Sequence, residues 1–189
     1  MRETDLYKSL TIVITIIILL LVCLSEGGCA SPAAEDATAE ELLIEGNGVQ
    51  GRAVFTLNDL QFMEEGLVEA DYFGINSYGT RGYTHFKGIG VWYLLSKQVE
   101  LKDDAARVTF IAEDGYEVEY SIAEVKKEDY IDEQNPETRL KMILAWEENG
   151  YEYDPRAGMP LQLTVGQQEP GDINKPYWVK NVVTIRVER

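Results

Sequence analysis

The sequence predicts an α+β domain built mainly of strands, with short helices at its periphery. Three observations carry this expectation. Asp114-Gly115 separates VTFIA from VEYSI, Asn149-Gly150 separates MILAWEE from YEY, and residues 88–187 alternate β-branched and aromatic runs with turn residues. Each dipeptide joins a residue tolerant of positive φ to a glycine, which is the chemistry of a tight hairpin.

The N-terminus comes first. Arg2 and Lys8 lead into the run LTIVITIIILLLVCL at residues 10–24, and Gly27, Gly28, Cys29, Ala30 and Ser31 follow. A membrane-spanning helix needs about twenty apolar residues, so this run suits the apolar region of an export signal better. Gly27-Gly28-Cys29 resembles the lipidation site of prokaryotic lipoproteins, with Glu26 where that pattern prefers an aliphatic residue. The alternative is a retained signal anchor over residues 7–24. Residues 1–29 are thus expected to be a lipoprotein signal or membrane anchor, residues 30–41 a flexible acidic linker, and residues 42–189 the folded domain. Either anchor puts that domain on the extracytoplasmic face of the cell membrane.

Cys23 lies within the apolar run and no cysteine follows Cys29. Disulfide scaffolds, thiol nucleophiles, cysteine-based zinc sites and iron–sulfur clusters are therefore excluded from the domain. The formal charge of −16 argues against nucleic acid and anionic lipid surfaces as partners. Its plain meaning is a solvated acidic surface.

Within the domain, residues 42–45 and 53–55 flank Gly46-Asn47-Gly48 and read as a short hairpin. Thr56 can cap a helix by accepting the N–H of Asp59, with Leu57, Leu60 and Met63 inward and an end before Gly66. Residues 72–88 (YFGINSYGTRGYTHFKG) carry five aromatics and four glycines without periodicity. They read as a hairpin joined through residues 79–82. The alternative is a pocket where glycines admit a ligand and aromatics contact it. His85, the single histidine, rules out sites built on several imidazoles. Residues 91–98 open as a short helix, and residues 122–125 read as a turn. In the charged loop 126–139, Asp129, Asp132, Glu133 and Asn135 lack the glycine and terminal glutamate of an EF-hand. Adjacent Glu147 and Glu148 point to opposite faces of a strand, so they cannot form an acid–base pair. Trp92, Leu95, Ile111, Leu144, Trp146, Leu163 and Ile185 are the expected core.

The order of these motifs resembles the molybdopterin-binding oxidoreductase domain, the catalytic domain of the sulfite oxidase family. The matching residues are Gly90-Val91-Trp92-Tyr93-Leu94-Leu95, Asp114-Gly115-Tyr116, Ile143-Leu144-Ala145, Asn149-Gly150, Gly158-Met159-Pro160-Leu161, and the closing run from Trp178 to Val187. The resemblance implies that family's fold and, where the motifs are intact, molybdopterin. It also places the family's metal-binding cysteine within residues 72–88, where Asn76 or Ser77 stands instead. Neither side chain replaces a thiolate as a soft metal ligand.

Other departures fall on phosphate recognition. Gln162 stands where arginine is usual, Gln167-Gln168 replaces a basic phosphate-cradling loop, and Tyr177 replaces a lysine. Arg81, Lys87, Arg156 and Lys175 remain as substitutes. The resulting expectation is a membrane-tethered, noncatalytic relative that binds a small ligand or a protein partner. Its candidate pocket comprises Asn76, Ser77, Thr80, His85 and Lys87, with no catalytic residue or metal ligand assigned. A molybdopterin-dependent oxidoreductase with unorthodox ligation and a structural surface module are the alternatives.

Overall fold

The computed structural model describes residues 41–189. The signal or anchor at 1–29, Cys29, and the linker up to residue 40 lie outside the described residues. β1 (Glu41–Glu45) starts one residue before the expected domain boundary.

Two five-stranded sheets form the domain, which is mainly β as the sequence predicts. The first runs β2-β1-β10-β5-β6, with β2 Ala53–Thr56, β5 Arg107–Ala112, β6 Glu117–Ser121 and β10 Val182–Glu188. β1 and β10 are parallel, with Ile44 opposite Ile185, and the remaining pairs in this sheet are antiparallel. The second runs β3-β4-β7, with β3 Leu67–Ile75, β4 Arg81–Gly90 and β7 Ile143–Glu148. Along the far edge of β7, the two-residue β8 (Tyr151–Glu152) and β9 (Gln162–Thr164) pair in succession.

Turn chemistry fixes the hairpins where expected. Gly115 closes β5–β6 at φ 84°, and Asn149 and Gly150 close β7–β8 at φ 53° and 82°. The β3–β4 turn lies earlier than the sequence suggests, at Asn76–Thr80 instead of residues 79–82, so Arg81 and Gly82 belong to β4. Asn76 is responsible. Its Oδ1 accepts the N–H groups of Tyr78 and Thr80 at 3.0 and 2.9 Å.

The helices are short, and two carry reciprocal side-chain caps. α1 (Leu57–Gln61) carries the expected Thr56 cap, with Asp59 bonding back to the Thr56 N–H at 2.8 Å. α2 (Val91–Tyr93) continues as a π-helical turn, Leu94–Gln98. Residues 122–125 form more than a turn: α3 (Ile122–Lys126) is closed by the same reciprocal cap between Ser121 and Glu124.

One buried cluster joins both sheets, including Leu42, Phe110 and Ile185 from the first and Ile89, Leu144 and Leu163 from the second. Of the expected core, Leu95, Leu144, Trp146, Leu163 and Ile185 are buried. Trp92 and Ile111 are only partly covered. Among the described residues, no helix is long and apolar enough to cross a membrane.

Candidate functional site

A polar cleft of about 490 Å3 opens between β6–α3 and the connection from β9 to β10. Glu119 and Tyr120 come from β6, Glu124 from α3, and Tyr130 from the loop after it. Glu169, Asp172 and Tyr177 face them from the connection. Lys127 is the one cation among the lining residues, and its Nζ lies 5.0 Å from the Tyr130 ring centroid.

Burial, reinforced by the nearby carboxylates, raises the pKa of Tyr120 and Tyr130, so both phenols stay neutral. Burial also pushes the Glu124 carboxyl upward. Hydrogen bonds from the Ser121 hydroxyl and N–H and from the Gln168 amide outweigh it and hold Glu124 below the usual range. Glu124 therefore keeps its negative charge at neutral pH.

A buried polar network shapes its wall. Gln167 is fully buried. Its Nε2 donates to Glu133 and to the Asp172 carbonyl, and its Oε1 accepts the Glu133 N–H. Glu133 also accepts the Gly171 N–H, the leading reason its carboxyl sits below the usual range. Asn174, 1% exposed, ties the cleft to the β3–β4 hairpin. Its Nδ2 donates to the carbonyls of Phe73 and Val165, both at 3.1 Å. No buried side-chain nitrogen or oxygen among the described residues lacks a partner.

The five pocket residues expected from the sequence are spread along that hairpin. Asn76, Ser77 and Thr80 form its tip, where the Asn76 side chain is occupied by the turn itself. His85 and Lys87 lie further down β4, opposite Asp71 and Glu69 of β3. The His85 ring bridges both carboxylates, Nδ1 to Asp71 at 2.8 Å and Nε2 to Glu69 at 3.2 Å. Those hydrogen bonds, that to Asp71 first, raise its pKa. Two acids of the 126–139 loop serve the fold. Asp132 accepts from Gln134 N–H and Tyr83 O–H, and Glu133 belongs to the network above. Among the described residues, no cluster of His, Cys, Asp or Glu is arranged for a metal ion.

Sequence reasoning missed the cleft's acids and tyrosines. Glu119, Glu124, Glu169 and Asp172 are scattered along the chain and read singly as solvated surface. The usable signal was the Ser121-x-x-Glu124 capping box, which marks α3.

No protein-family model and no curated protein sequence matches the chain. Among solved structures, the sulfane dehydrogenase SoxCD from Paracoccus pantotrophus matches with a TM-score of 0.60 at 18% identity, over 78% of this chain. The fold is a distant likeness of the molybdopterin-oxidoreductase fold. This chain spans 38% of the length of that one.

On a molybdopterin-oxidoreductase-like fold, the segment holding Gln167, Gln168 and Tyr177 is where the sequence resemblance put phosphate recognition. The residues present do not fit an anionic cofactor there. Four carboxylates face one lysine, and the Gln167 amide is consumed within the protein. A dianionic phosphate needs cations and free donors. None of the proposed substitutes lines the cleft. Arg81 pairs with Glu133, and Arg156 pairs with Asp154 through two bonds of 2.9 Å. Lys87 lies between Glu69 and Glu147 in the register of the sheet, and Lys175 sits over the Trp178 ring. Gln162 lies away from the cleft, bonded to Tyr153 and Thr164 within the fold.

Proposed function

We propose that the protein is a noncatalytic binding module, tethered by its N-terminal segment to the extracytoplasmic face of the membrane, that takes a small organic cation in the acidic cleft. The observation that carries this reading is the charge of the cleft. Glu119, Glu124, Glu169 and Asp172 surround neutral tyrosine faces, a combination that favours an ammonium or guanidinium group by charge and by cation–π contact. The volume is that of a small-molecule site. Loss of a thiolate in residues 72–88 and of phosphate-binding cations supports the absence of oxygen-atom transfer.

Two measurements test this. Protein made in a host that synthesises molybdopterin is expected to contain no stoichiometric molybdenum by elemental analysis and no pterin by native mass spectrometry. Benzylammonium is expected to bind in calorimetry, and to bind several-fold more weakly to the Glu119→Gln/Glu169→Gln double variant. Stoichiometric molybdenum, or turnover of sulfite or a sulfoxide, would establish the oxidoreductase reading instead. Absence of benzylammonium binding would leave a structural module.

A further inference from the structure

A second cavity, of about 290 Å3, lies at the start of β3, beside α2 and its π turn and on α3. Its charge differs from that of the acidic cleft, with which it shares Lys127. Trp92, Tyr93, Val125 and Met142 supply apolar surface, and Gly66 and Gly90 also line it. Lys97, Lys127 and Lys141 stand around it against Glu65 and Glu128. In a chain with 17 basic and 33 acidic residues, lysine outnumbers glutamate at this place.

Several contacts hold the walls in position. The Tyr93 ring rests on Gly66 so closely that a Cβ there would come within 2.2 Å of it. The Tyr93 hydroxyl accepts from the Gln98 amide at 3.3 Å. Lys126 sits 4.9 Å from the Trp92 ring and covers one face of the indole.

The π turn completes the cavity. Leu94 and Leu95 are consecutive and both fully buried. They open the widened turn, in which Ser96 and Lys97 line the cavity while both leucines stay in the core. Such turns are rare and recur at functional sites.

Lys141 is neutralised by Glu128 at 2.8 Å. No ion pair among the described residues uses Lys97 or Lys127.

We propose that this cavity binds a small aryl carboxylate, with the ring against Trp92 and Tyr93 and the carboxylate on Lys97. Aromatic walls select a flat apolar body, since offset and edge contacts between rings add to simple burial. The slight excess of lysine over glutamate selects a single negative charge. A neutral ring gains no ion pair, and a cation meets repulsion from the lysines. Lys97 is exposed, so changing it leaves the core intact.

The test uses the full chain in a mild detergent, with calorimetric titrations of benzoate, benzamide and benzylammonium corrected against detergent alone. Saturable benzoate binding at one site is expected, at least tenfold tighter than benzamide. Lys97→Glu is expected to weaken benzoate at least tenfold while leaving the thermal midpoint and benzylammonium binding unchanged, and Lys97→Arg is expected to retain benzoate. The Glu119→Gln/Glu169→Gln variant is expected to bind benzoate as the unmodified protein does, which separates this site from the acidic cleft. No saturable benzoate binding, equal affinity for benzamide, or an undiminished affinity in folded Lys97→Glu would overturn the proposal.

Discussion

Asn174 holds Ile75. Its Oδ1 accepts the Ile75 N–H at 2.9 Å, while its Nδ2 reaches the carbonyls of Phe73 and Val165. One buried amide thus fastens the end of β3 to the segment that walls the acidic cleft. Asn174→Ala is expected to cost about 1–3 kcal/mol, because it strands buried backbone groups that its partners cannot otherwise satisfy. Urea denaturation would measure this. An unchanged midpoint would show that the hairpin does not depend on this tie.

Gly88 marks the register shift between β4 and β7. A Cβ there would lie 2.1 Å from the Leu144 carbonyl oxygen and 2.5 Å from the Ala145 Cα, both backbone atoms. Gly88→Ala is therefore expected to push the two strands apart and to destabilise the protein by about 3 kcal/mol or more. Gly82, on the same strand, has open space where its Cβ would stand. Gly82→Ala should leave the thermal midpoint within about 2 °C, in line with a surface substitution.

His85 gives a pH dependence with a definite sign. Hydrogen bonds to Asp71 and Glu69 raise its pKa above the ordinary 6.5. Protonated, the ring donates to both carboxylates. Its stabilisation is fully present below 6.5 and is lost as pH rises through the raised folded value. All three groups are partly exposed, with 38% exposure at the histidine side chain, so salt should weaken the effect. With a single histidine in the chain, proton NMR would report its titration without ambiguity. A midpoint at or below 6.5, or one unmoved by Asp71→Asn, would contradict the bridge.

Local chemistry made much of the fold legible. Asp114-Gly115 and Asn149-Gly150 announce hairpins that the structure contains, because positive φ at Gly115, Asn149 and Gly150 leaves few alternatives. Thr56 and Asp59 announce α1 for the same kind of reason. The β3–β4 turn lies earlier than its glycines suggest because the Asn76 side chain organises it, with Gly79 supplying the positive φ. α3 read as a turn because five residues carry little periodicity. Ile111 and Trp92 sit on apolar runs but near the margins of the core, and pattern alone does not tell a margin from a centre.

The acidic cleft was the least legible feature. Glu119, Glu124, Glu169 and Asp172 meet only once α3 and the β9–β10 connection have packed on β6, so no spacing along the chain announces them. The sequence resemblance did point to the Gln167–Tyr177 segment as altered. Which charge would replace the lost one could be read only in three dimensions.

Pairing between β1 and β10 has a consequence for how the chain is made. β10, which follows the other four strands of the first sheet in sequence, lies in its middle, between β1 and β5. As the polypeptide leaves the ribosome, β1–β2 and β5–β6 can form as separate hairpins, each with an open edge. They can join only when residues 182–188 arrive. This makes the joining of the two hairpins a long-range closure and leaves two sheet edges waiting for one strand. Any factor that attends this protein during its biogenesis would have most to shield in that interval, before the seventh residue of β10 has emerged.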